Sequence, residues 1–165
     1  MQLDVRNNEL GTEGTRILVE ALNGNVVLGD LNIASNGITW CSKTQRSDLS
    51  AVMAVGSVLP AMEGLMTLNL SSNSLDKDGT TVLADVLAGN ETVTALNISN
   101  SIPNILPTRE FSALADAISS MRALTCLDIS TNCIGGQYEG SGRQTRWRSS
   151  ITGVNTLAAA LPKCT

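Results

Sequence analysis

The sequence predicts an α/β solenoid, a horseshoe with a parallel sheet on its concave side and helices on its convex side, built from about five strand–helix repeats. Three observations predict it. Segments 3–30 and 68–95 align without a gap, and nine of the 28 positions are identical, among them Leu3/Leu68, Asn8/Asn73, Gly14/Gly79 and Leu22/Leu87. An opening of the form L-x-[LIV]-x-x-N-x-[LI] recurs at Leu3, Leu31, Leu68, Leu96 and Leu127, irregular only in the fourth copy, with starts 28, 37, 28 and 31 residues apart. Apolar residues make up 42% of the chain and aromatics only 2%, so the core has to be aliphatic.

Each part of the unit has a physical reading. Leu-x-Leu at a period of two is a short strand with its apolar side inward. The Asn five residues later marks where the chain turns away, and its amide can satisfy backbone groups that the turn leaves unpaired. An apolar stripe at helical spacing follows: Ile17, Leu18, Ala21 and Leu22 in the first copy, Val82, Leu83, Val86 and Leu87 in the third. Gly24-Asn25 and Gly89-Asn90 end the helix, where a left-handed cap is needed. A last apolar residue, such as Leu28, Leu65, Val93 or Leu124, leads into the next strand. One strand and one helix cannot bury their faces alone, but stacked copies share a continuous core.

This unit, with its true helix, resembles the ribonuclease-inhibitor class of leucine-rich repeat proteins. The resemblance spans essentially the whole chain, taken as one domain over 1–165. It implies a protein-binding module or scaffold with no cofactor, and a concave strand face as the usual contact surface. The partner is another protein of unknown identity, and a cytoplasmic location is expected. Two alternatives stand beside this: an activator of Ran-type GTPases, and a structural solenoid segment of a cytoskeletal or membrane-associated assembly.

The copies are not uniform. Aligning their helices leaves nine extra residues in copy two near 40–48, three in copy four near 104–108, and fifteen in copy five near 137–152. All three insertions leave from the strand-to-helix edge. Copy four has Ser101 at the Asn position and Pro103 at a Leu position, so Asn100 is the candidate for the bridging role in a distorted turn.

The concave positions are small and mildly polar, with Arg6, Asn32, Asn69, Asn97 and Asp128 as their main polar groups. Tight interfaces are usually anchored by Trp, Tyr and Arg. Those residues lie in the two long insertions: Trp40, Lys43 and Arg46 in the first, Tyr138, Arg143, Arg146, Trp147 and Arg148 in the last. These eight are the candidate partner-binding residues. Two bland readings compete with them: Trp40 could cover the core, and the Gly/Ser-rich Arg loop could be a flexible excursion.

Other functions find little support. The chain has no His, so nucleophile–histidine catalysis has no base. Asp76 and Asp78 read as charges at a helix N-terminus. No phosphate loop matches. The four cysteines, Cys41, Cys126, Cys133 and Cys164, form no CxxC pair, so no metal site is expected, and reduced, buried thiols are. A net charge of −4 argues against a general nucleic-acid binder. No apolar run reaches the roughly 20 residues needed to span a bilayer. Neither end carries a recognisable cap, so Leu3, Val5, Leu18 and Leu22 should leave one side of the core open, in a piece of a longer protein or in a chain that self-associates through its ends.

Overall fold

The computed structural model describes residues 1–41, 46–102, 108–132, 134, 136–139, 146–149 and 152–160. Five strands, β1 (Gln2–Asp4), β2 (Asp30–Asn32), β5 (Thr67–Asn69), β6 (Ala95–Asn97) and β7 (Cys126–Asp128), form one sheet in that order. Every neighbouring pair is parallel, and the register places Leu3, Leu31, Leu68, Leu96 and Leu127 in one row. Five helices cover one side: α1 (Gly11–Ala21), α2 (Ser50–Val58), α3 (Lys77–Leu87), α4 (Thr108–Ser120) and α5 (Thr152–Ala160). Each packs on the next in chain order. Neighbouring strands sit about 4.8 Å apart whereas packed helices need roughly 8–10 Å, so the stack bends with the sheet inside.

The core is the aliphatic layer between sheet and helices. Leu31, Leu68 and Leu96 from the strands, and Ile33, Leu70 and Ile98 just after them, meet Val55, Val58, Leu83, Leu87, Leu114 and Ile118 from the helices, all buried. Each such side chain contributes about 1.5–3 kcal/mol of burial. Leu3, Val5, Leu18 and Leu22 pack against this core but are only partly buried.

Beneath the strand ends runs a ladder of buried amides. The Asn36 Nδ2 donates to the carbonyls of Val5, Ile33 and Ala34, and its Oδ1 accepts from the Asn8 and Leu10 N–H groups. Asn73 repeats this toward Ile33, Leu70 and Asn36, and Asn132 toward Ile98, Ile129, Ser101 and Ile102. The residue before each ladder position is left-handed: Asn7, Ser35, Ser72, Asn100 and Thr131 have φ between 50° and 60°.

Two expectations need correction. Asn100 does not take the bridging role in copy four. Ser101 takes it itself: its hydroxyl donates to the Leu70 carbonyl at 2.9 Å and accepts from the Asn73 N–H at 3.3 Å, while the Asn100 amide donates to the Ser72 hydroxyl. The turn is nevertheless altered. Copies one to three have a second left-handed residue after the ladder position, at Glu9, Gly37 and Ser74; Ile102 is not left-handed and is buried instead. Ile102 precedes a proline, which biases it toward extended backbone, and the core receives its apolar residue one position early.

The inner stripe of the first helix is also shifted. Ile17 is 55% exposed and Ala21 is exposed, whereas Thr12, Thr15 and Val19 are buried. Among the described helices α1 packs on α2 alone, so only the flank facing α2 is covered. In α3, which has a neighbour on both sides, Leu83, Ala84 and Leu87 are buried.

Candidate functional site

The insertion in copy two is a short hairpin. Strands β3 (Trp40–Cys41) and β4 (Arg46–Ser47) pair antiparallel, with Trp40 opposite Ser47 and Cys41 opposite Arg46. Its base is pinned from several directions. The Asp48 N–H donates to the Thr39 carbonyl at 3.0 Å, and the Thr39 hydroxyl donates to the Ser74 carbonyl in the next repeat at 3.0 Å. The Asp48 carboxylate accepts from the Ser50 N–H at 2.9 Å, capping the start of α2, and from the Thr12 hydroxyl of α1 at 3.0 Å. The Ser50 hydrogen bonds, Thr12 and the Arg16 charge hold Asp48 below the ordinary aspartate range, against a smaller opposing effect of burial.

Trp40 stands at the start of this hairpin and is 49% exposed. It therefore does not serve as a lid over the core. It walls a cleft of about 300 Å³ shared with Glu9, Gly11, Ser35, Asn36 and Gly37. Lys43 lies outside the described residues, and Arg46 is described by its backbone alone.

The insertion in copy five also forms a hairpin. Strands β8 (Gly136–Glu139) and β9 (Arg146–Ser149) pair antiparallel, matching Tyr138 with Trp147, Gln137 with Arg148 and Glu139 with Arg146. Four candidate residues, Tyr138, Arg146, Trp147 and Arg148, thus fall within one ladder, while Arg143 lies outside the described residues. Period-two spacing in "RWRS" was the available signal for a strand, and the Gly/Ser content around it concealed that signal. Both hairpins join a sheet strand to the following helix, so they leave from the same edge of the stack. The three-residue insertion of copy four falls mostly on residues outside the described ones.

The alternative residues on the concave face prove to be partly structural. Asn32, Asn69, Asn97 and Asp128 each end a strand, and each side-chain oxygen accepts from the backbone N–H two residues on, at 2.9–3.1 Å. Asp4 does the same with the Arg6 N–H, and its other oxygen lies 3.4 Å from the Arg6 guanidinium. The Ser130 N–H bound to Asp128 holds that half-buried carboxyl below its ordinary range. This column of turn-forming side chains was readable in the recurring Leu-Asp and Leu-Asn pairs, and sequence reasoning took it only as a surface. Cys126 is unpaired and exposed on the sheet, which corrects the expectation of a buried thiol there.

The opposite, helix-to-strand edge carries exposed apolar groups that the sequence reading missed: Met1, Val26, Val27 and Met66. Backbone bonds from the Met1 ammonium to Val27, from Gly29 to Met1 and from Met66 to Gly29 bring this set together. Among the described residues no cluster of His, Cys, Asp or Glu could hold a metal ion, and no helix is long and apolar enough to cross a membrane.

No family model matches the chain. It is 31% identical over 141 residues to a mouse (Mus musculus) ribonuclease inhibitor, an alignment covering 82% of this chain and 27% of that protein. The chain thus spans about a quarter of its relative's length. Among solved structures it resembles the tropomodulin C-terminal domain of Caenorhabditis elegans, with a TM-score of 0.69 and 16% identity over 99% of this chain and 83% of that one. It also resembles a structure titled leiomodin-1 actin-binding site 2, with a TM-score of 0.63 and 23% identity over 98% of this chain and 81% of that one. At these identities the two structural likenesses speak to the fold.

Proposed function

We propose, from the premise that this chain is a leucine-rich repeat protein with ribonuclease-inhibitor-like repeats, that it is a protein-binding module and not a catalyst. It engages its partner along the strand-to-helix edge, with the two hairpins as anchors and the concave face as a lesser contributor. The observation that carries this reading is Trp40, half exposed on a hairpin whose base is pinned to two helices and the next repeat. An aromatic ring held on a rigid support loses little entropy when it is buried in an interface. The second hairpin adds Tyr138 opposite Trp147, with Arg146 and Arg148 on the same strand as the Trp. The concave face contributes small polar groups whose oxygens are already bound within the fold.

The test compares the intact chain with Trp40→Ser/Arg146→Ser/Trp147→Ser, after circular dichroism has shown the same fold. The proteins it resembles set the first panel: a ribonuclease, and actin. Loss of a bound partner in the triple variant supports the edge. Full retention sinks it and moves the search to Arg6, Asn32, Asn69, Asn97 and Asp128. Self-association through the partly buried first repeat belongs to the same reading, and light scattering of the intact chain checks it: a monomer at all concentrations removes that part.

A further inference from the structure

We infer that the cleft beside Trp40 receives a basic side chain of the partner, an arginine above all, held between the Trp40 indole and the Glu9 carboxylate. This deepens the edge-binding reading and rests on it.

Four features of the cleft point to that guest. Its volume of about 300 Å³ suits one long side chain and not a folded element. One wall is an indole that is 49% exposed, and a guanidinium stacks on such a face better than on any other side chain. Another lining residue is Glu9, exposed and without an ion pair among the described residues. Its place is not accidental: Glu9 is left-handed at φ 53°, and the N–H groups on both sides of it, from Asn8 and Leu10, bind the Asn36 side-chain oxygen. The Glu9 backbone is therefore held at the rim by the buried ladder. The last feature is open backbone. Gly11 and Gly37 both have positive φ and nothing within 4 Å of where a Cβ would stand, so a guest can approach the main chain closely.

Two opposed fields of the described residues bear on the sign of the guest's charge. Helix α1 begins at Gly11, and its N-terminus carries roughly half a positive charge, which favours an anion. The Glu9 carboxylate carries a full negative charge in the same cleft, and the whole chain bears −4. A carboxylate guest would face Glu9 directly; a guanidinium gains both the ion pair and the indole face.

The experiment uses the whole chain carrying Trp147→Phe, so that Trp40 is the sole indole. It is titrated with acetyl-Gly-Arg-Gly-amide and, separately, with the Glu and Gln versions of the same peptide. The arginine peptide should give a saturable change in Trp40 fluorescence. Glu9→Gln should weaken it about fivefold or more, and Glu9→Lys should abolish it. A linear response, equal responses to the three peptides, or an unchanged response in Glu9→Gln overturns the proposal. The triple-variant capture experiment is independent of this one. If the peptide is silent while that variant loses its partner, the edge stands and the arginine cleft falls.

Discussion

The Asn36 N–H donates to the side-chain oxygen of Asn73, 2.9 Å away, and both residues are almost wholly buried. They are 37 residues apart in the chain, and the bond ties the turn of one repeat to the turn of the next. The same contact recurs from Asn8 to Asn36 and from Ser101 to Asn132, so the interior of the solenoid is held in register by side-chain amides as well as by the sheet.

Removing one rung should be costly. In Asn73→Ala the Ile33 carbonyl keeps a bond from Asn36 and the Leu70 carbonyl keeps one from Ser101, but the buried Asn36 N–H loses its acceptor. The expected loss is about 2–3 kcal/mol in urea denaturation. Asn73→Ser, which copies the rung found at Ser101, should recover part of it; equal losses for the two variants would show that the rung does not act through hydrogen bonding.

Thr15 and Thr80 occupy the same place in copies one and three, and both are fully buried. The Thr80 hydroxyl donates to the Asp76 carbonyl at 2.9 Å, whereas the Thr15 hydroxyl meets no partner among the described residues. Thr15→Val should therefore raise stability by about 1 kcal/mol, and Thr80→Val should lower it by a similar amount. Thermal melts of the two variants side by side decide this, since opposite signs are required.

Gly56 of α2 lies against Val86 of α3, where a Cβ would overlap the valine methyl. Gly56→Ala should cost about 1–3 kcal/mol through overpacking, despite the better helix propensity of Ala. Adding Val86→Ala makes room, so the double variant should be more stable than the sum of the two single losses. Strict additivity in the melting data would contradict the contact.

Asp48 gives the fold a defined response to acid. Its pKa is depressed below the ordinary 3.8, so its contribution is fully present above that value. It is lost as pH falls below 3.8 through the folded-state pKa, when the bonds from Ser50 and Thr12 lose their charged acceptor. Asp48→Asn should be less stable than the parent at pH 7, with the gap closing below pH 4. A constant gap across that range would show that Asp48 stays ionised or acts only by shape.

Trp40 separates binding from folding. Since half of its surface is already exposed, Trp40→Ala should shift stability by only about 0.5–1 kcal/mol, while a hot-spot role requires a loss of at least about 2 kcal/mol in affinity. Paired denaturation and titration measurements would expose a core role if the stability loss were the larger.

Much of the repeat was legible because its signals are short-range. Leu68, Leu70 and Leu75 with Asn73 spell one strand and its turn within eight residues, and Gly89 ends α3 within the same unit. The exposed Ile17 was misread because a helical stripe records only which residues are apolar. Whether a flank of α1 is covered depends on the neighbouring helix, not on α1 itself. Asn100 was misread for a related reason: nothing local tells that Ser101 lies within reach of Leu70, 31 residues earlier.

The sequence by itself determined the repeat, its starting leucines and the aliphatic core, because the alternation of strand and helix is written in residue spacings a few positions long. It also marked which segments interrupt the repeat. The tertiary structure alone decided what those segments become: a hairpin at Trp40 pinned by Thr39 and Asp48, a second that sets Tyr138 against Trp147, and a cleft joining Trp40 to Glu9. These depend on groups brought together from different repeats, such as Thr12 with Asp48 across 36 residues. Contacts of that span follow from the stacking of whole units, and no local pattern encodes them.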